Sequence, residues 1–216
     1  MRRFFIFDKF NTWADWRLTL TAKDVTAPEP KTNYVQLDGM SGSLDLTEAL
    51  TGGVTYNDRT VTASFWTSEG TAQERVTLLR NITAALHGKK VKIIEPDDPT
   101  HFFVGRAVLK SQVRDQVHTE FTVEATCEPW RYAVNETERR VDVSDTVDVV
   151  LKNDGVKTLT PTVTLTAPMT LTFGGSAIEL QAGSYRISGL RLSQGVNVVS
   201  VSGTGSITFT YREAEL

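Results

Sequence analysis

The chain has 216 residues, 40% of them hydrophobic and 23% charged, with a formal net charge of -3. This composition describes a soluble globular protein long enough for one large domain or two small ones; it excludes a disordered chain, and no apolar run nears the roughly 18 residues of a membrane span. The single cysteine, Cys127, excludes an internal disulfide framework. Lys and Arg are scattered, with short clusters only at Arg2-Arg3, Lys89-Lys90 and Arg139-Arg140, which read as solvated surface rather than a nucleic-acid footprint.

The opening MRRFFIFDKF reads as a first strand, because Asp8 and Lys9 break the apolar patch too early for a secretory signal core. Residues 71–88 form the one clear helix. Val76, Leu79, Ile82 and Leu86 recur at steps of three and four and mark one face, which should cover a sheet. The opposite face carries Gln73, Arg80 and Thr83. Thr71 and Glu74 have capping-box spacing, and Gly88 stands where a left-handed C-cap is wanted. Elsewhere the apolar period is two: KVKIIEP, HFFVGRAVLK, VHTEFTVEAT, RVDVSDTVDVVL, PTVTLTA, VNVVSVS and SITFTY. Turn chemistry separates these runs at 95–100, 152–155, 173–176, 181–184 and 202–206.

Composition shifts near residue 132. All four tryptophans, all three histidines and the cysteine precede it, and a Val/Thr/Ser/Gly-rich stretch follows. The expectation is a mainly β chain: an N-terminal α+β domain over 1–132, with antiparallel sheets and one helix, then an all-β sandwich over 133–216 of six to eight strands.

The search for chemistry finds structural explanations. His87, His101 and His118 have no metal-ligand spacing. Cys127 has no base nearby in sequence and reads as a small buried thiol. Asp142, Asp145 and Asp148 recur every three residues; that is not an EF-hand pattern, and it suits a solvated edge or loop. Asn81 and Asn135 begin glycosylation-like triplets, read as accidental. No phosphate-binding glycine loop or nucleophile elbow is present. No catalytic residue, metal or cofactor is expected.

The stretch 39–65 carries a Gly-rich turn, a Leu-Asp step and a Tyr-x-x-Arg step at Gly39, Gly42, Leu44, Asp45, Tyr56 and Arg59. It resembles the distal tail protein family of long-tailed siphophages. The order along the chain is also similar: Trp13 and Trp16, then the helix ending at Leu86, His87 and Gly88, then Asp97, Asp98, Phe102, Phe103 and Gly105, then Cys127, Pro129 and Tyr132, and a Gly-rich closing hairpin. Asp45 and Arg59 flank a hairpin-like excursion and are candidates for a bidentate pair; two unrelated surface charges are the equal alternative. The resemblance implies a tail-tube-like first domain that closes a homohexameric ring and a galectin-like β-sandwich that points outward. It also implies a channel for DNA, contacts with the tail tube protein, the tail-tip or baseplate hub and receptor-binding proteins, and a place in the virion after assembly in the host cytoplasm. Arg2, Arg3 and the 39–59 excursion are the candidates for subunit contact. A glycan-binding adhesin and another tail-tube-related ring protein are the competing readings.

Overall fold

The computed structural model describes residues 3–216, apart from the side chains of Ser111 and Arg114; Arg2 lies outside the described residues. The chain divides into two compact units, one ending at Arg131 and taking in Leu216, the other spanning Tyr132–Glu215.

In the first unit the strands are β1 (Ile6–Phe7), β2 (Phe10–Asn11), β3 (Thr19–Val25), β4 (Tyr34–Val35), β5 (Leu44–Asp45) and β6 (Arg59–Thr67). Helix α1 (Ala72–Leu86) follows, then β7 (Lys90–Ile94), β8 (His101–Arg114) and β9 (Thr119–Ala133). One sheet has the order β2-β1-β7-β8-β9-β6-β3. Its central antiparallel pair sets the core. Val61, Ala63 and Phe65 of β6 stand opposite Ala125, Val123 and Phe121 of β9, and all six are buried. They join Phe5, Phe7, Val91 and Ile93 in one cluster, with Phe65 and Phe121 ring centroids 5.7 Å apart.

The helix covers this sheet as its stripe requires. Leu79, Ile82 and Leu86 are buried in the same cluster. The capping box closes as read: Thr71 Oγ1 accepts the Glu74 N–H at 3.2 Å, and Glu74 takes the Thr71 N–H at 2.7 Å. The first turn differs from the stripe. Val76 is half-buried and Arg75 is buried instead, its guanidinium donating to the carbonyls of Gly70 at 2.6 Å and Gln116 at 2.7 Å. Those bonds tie the helix start to a neighbouring turn. At the other end His87 is the cap residue, and Nδ1 accepts the Leu109 N–H at 3.1 Å. Gly88 follows with a φ of 75°, a value that costs glycine nothing.

Gly105 shows the tightest packing in the sheet. A Cβ there would meet Cys127 Sγ at 2.4 Å and the Thr126 carbonyl at 2.6 Å. Cys127 itself is fully buried, and burial pushes its thiol up to about 12.

The second unit holds β10 (Thr137–Val143), β11 (Thr146–Asn153), β12 (Thr162–Leu165), β13 (Met169–Phe173), β14 (Ser176–Leu180), β15 (Gly183–Arg186), β16 (Gly195–Gly203) and β17 (Gly205–Tyr211). They form two four-stranded sheets, β10-β17-β12-β15 and β11-β16-β13-β14. Each successive pair (β10/β11, β12/β13, β14/β15, β16/β17) takes the same place in opposite sheets. The turns at 181–184 and 202–206 are therefore corners between sheets rather than hairpins. Gly203 and Gly205, with φ of 141° and 146°, make the last of these corners. The Gly174-Gly175 turn is a true hairpin, joining the paired strands β13 and β14. The inward rows, including Val163, Leu165, Leu171, Val199, Val201, Ile207 and Phe209, make one buried core. The fold is thus mainly β with one helix among the described residues, ending in a β-sandwich.

Two outcomes follow. Thr71→Ala should cost about 1 kcal/mol through loss of the cap, read as a lower urea midpoint at unchanged slope. Cys127 should resist a thiol reagent at pH 8 in the folded protein and react at once in denaturant. Because the folded thiol titrates at about 12 against an ordinary 9.0, both states hold the proton below pH 9 and the thiol adds no pH dependence there. Above that pH the unfolded chain ionises first, so this residue's contribution falls as pH rises from about 9 towards 12. Cys127→Ala should flatten that part of the stability profile.

Candidate functional site

The most distinctive local feature of the first unit is the arm spanning residues 26–58. Its base is pinned where Thr60 N donates to Thr26 Oγ1 at 2.8 Å and Thr26 N donates to the Thr60 carbonyl at 3.0 Å. Lys31 N bonds the Thr55 carbonyl and Asn57 N bonds that of Glu29, both at 2.8 Å, so the arm's two halves run antiparallel. Further out, β4 pairs with β5. Gly39 and Gly42, both at φ 84°, turn the chain between them. Tyr56 anchors the base edge-on against Trp130, with ring centroids 5.7 Å apart.

The arm leaves its apolar side chains in water. Tyr34, Leu37, Met40, Leu44, Leu50 and Val54 are all exposed, Leu50 to 95%. Exposed apolar groups gathered on one short segment mark an interaction surface more often than chance. The arm is also acidic: Glu29, Asp38, Asp45, Glu48 and Asp58 stand against Lys31 alone.

The two residues singled out as a possible ion pair do not meet. Asp45 sits on the exposed arm. The Thr47 hydroxyl and N–H hold its carboxyl below the usual range, the N–H at 2.9 Å. Arg59 instead begins the inward row of β6, opposite Cys127, and is only 5% exposed. The period of two that buries Val61, Ala63 and Phe65 buries Arg59 with them. Its guanidinium lies over the Phe103 ring at 5.2 Å. Burial, and then the like charge of Arg131, push its pKa down.

The acidic turn after β7 is a structural ion network. Asp97 binds Arg3 at 2.5 Å and Lys23 at 2.7 Å, and Lys23 also contacts Glu95. Lys23 and then Arg3 hold the Asp97 carboxyl low. Asp98 accepts from Thr100 N at 3.1 Å and faces His101 Nδ1 at 2.9 Å. His118 lies 2.9 Å from Asp115 and 3.4 Å from Glu120. Asp142 and Asp148 fall on strands of different sheets, and Asp145 lies in the corner between them. Among the described residues no three acidic, His or Cys side chains gather as metal ligands. No described helix is long and apolar enough to cross a membrane.

No protein-family model matches the chain, and no curated protein does. A solved structure does: the SPP1 Dit protein (gp 19.1), described as a paradigm of the hub adsorption apparatus in phages infecting Gram-positive bacteria. The match covers 98% of this chain and 99% of that one at a TM-score of 0.68, with 15% sequence identity. Both units are therefore included, and the chain shares its fold, end to end, with a phage tail hub protein.

Proposed function

We propose that the chain is a structural subunit of a phage distal tail. Copies close into a hexameric ring through their first units. The ring joins the tail tube to the tail-tip or baseplate hub and leaves a channel through which DNA passes. The second unit is a galectin-like sandwich that faces outward and carries receptor-binding protein. The reading is structural rather than catalytic, and it places the chain in the virion after assembly in the host cytoplasm.

The end-to-end likeness to a hub protein carries this reading. A plain tube subunit would have no use for the second unit. The arm supplies the contact that a ring needs: an apolar, acidic segment on one part of the surface, suited to a different part of the next copy. Such a heterologous contact closes into a ring when its rotation allows. Covering Leu37, Met40 and Leu50 in this way would also remove apolar surface that water disfavours. A net charge of -3 suits a duct that must not hold DNA.

Light scattering after size exclusion should give a mass about six times the 23.9 kDa of one chain, with rings and a central hole in negative stain. A strict monomer at high concentration, alone and with tube and hub proteins added, would overturn the ring. Leu37→Glu with Leu50→Glu should abolish the ring and leave the melting temperature of the monomer within a few degrees, since both side chains are exposed.

A further inference from the structure

Charge is divided unevenly along the chain. The arm, residues 26–58, holds five acids against Lys31. The rest of the first unit, residues 1–25 and 59–131, holds fifteen Lys and Arg against twelve Asp and Glu. Residues 132–216 hold seven against nine. The acidic arm therefore finds opposite charge on the body of a first unit and like charge on a second unit.

That body carries a groove of matching chemistry. It has a volume of about 530 Å³ and lies where the start of β3 meets the end of β6. Trp13, Leu20 and Trp66 give it apolar walls, and Arg3 and Arg17 stand against Glu69 alone. Trp66 is 38% exposed, on the face of β6 turned away from the buried row of Phe65. Its cross-strand partner is Thr19 of β3, the last strand of the sheet, whose outer side pairs with no described strand.

Arg17 is held out for contact rather than packed. Its φ of 53° is a left-handed backbone that a side chain disfavours. Hydrogen bonds fix it there: Arg17 N donates to the Trp13 carbonyl at 3.1 Å, and Leu18 N donates to the Thr12 carbonyl at 2.9 Å. The guanidinium then lies over the Trp13 ring at 5.6 Å. The side chain is exposed and forms no ion pair with any described residue. Arg3, by contrast, is balanced by Asp97.

The arm presents a preformed counterpart. Ala49 N donates to the Leu46 carbonyl at 3.1 Å and Gly52 N to the Glu48 carbonyl at 2.8 Å, which folds 46–52 into a compact turn. That turn carries Leu50, 95% exposed, two residues after the exposed Glu48. The arm leaves the β3–β6 pair at its Val25/Val61 end, whereas the groove lies at the Thr19/Trp66 end, about 20 Å away along the strand. No residue of the arm lines the groove of its own chain. Donor and acceptor are thus separate surfaces, as a head-to-tail contact needs.

We propose that the groove of Trp13, Arg17 and Trp66 receives the arm of the next copy, with Leu50 against the tryptophans and Glu48 on Arg17. The inference rests on the ring reading above and names the surface that the arm meets.

The test is charge exchange in the full chain, read by sedimentation velocity and negative stain. Arg17→Glu should raise the concentration needed for half assembly about ten-fold or more, and Glu48→Arg should do the same. The chain carrying both substitutions should recover the ring, a rescue that loss of folding would not allow. Arg80→Glu, an exposed cation outside the groove, should have no effect. Leu50→Cys with Ser68→Cys gives a second readout, since the native Cys127 is buried. Oxidation should link that chain into a ladder of multimers up to the size of the ring, while either single substitution gives none. A wild-type chain that stays monomeric, alone and with tube and hub proteins added, overturns the ring and this contact with it. A wild-type ring that tolerates Arg17→Glu overturns the contact alone, and failure of the double exchange to restore assembly overturns the pairing of Glu48 with Arg17.

Discussion

The register between β6 and β9 is the constraint on which the first unit depends. Antiparallel pairing places Arg59 opposite Cys127 and Thr67 opposite Thr119, and every second residue between them faces inward. A slip of one residue would turn Val61, Ala63 and Phe65 outward and bring Thr60, Thr62 and Ser64 into the core. The helix depends on that choice, because Leu79, Ile82 and Leu86 have only this face to cover. So does the close seat of Gly105 against Cys127, which leaves no room for a side chain. The register also carries a cost at its end: the same alternation draws a guanidinium into the sheet, where it lies over the Phe103 ring.

The arm is a surface of a different kind from the packed sheet that it leaves. The arm exposes apolar groups and acids on a segment held by backbone hydrogen bonds, and it suits a large, dry contact with protein.

Much of this was legible in the residues. Period-two alternation gave the strands, and the Thr71/Glu74 spacing gave a cap that closes as expected. Cys127 was readable as a buried thiol. Connectivity was not legible: the glycines at 183, 203 and 205 mark tight bends, and a bend between two strands looks the same whether it closes a hairpin or crosses to the facing sheet. The separation of Asp45 from Arg59 was available in principle. Arg59 is in phase with Val61, Ala63 and Phe65, and that phase places it inside, while Asp45 lies beyond the turn. Charge complementarity suggested a pair where periodicity already argued against one. The gathering of Lys157, Arg186 and Arg212 around one cleft of the second unit had no signal in sequence, since they are far apart in the chain and converge only through strand order.

The corner-built sandwich has a consequence for how the chain comes off the ribosome. Its first two strands find their partners in its last two: β10 pairs with β17 and β11 with β16. Until the final stretch is synthesised, the opening strands have only open edges, and β12 and β13 lack the strands that would join them to the rest. Contacts of this length close slowly, and unpaired edges invite association with other chains in the meantime. The unit therefore cannot assemble stepwise from its N-terminal side; the C-terminal strands act as the closing seam, and a chain cut short before them would be left as a set of unmatched edges.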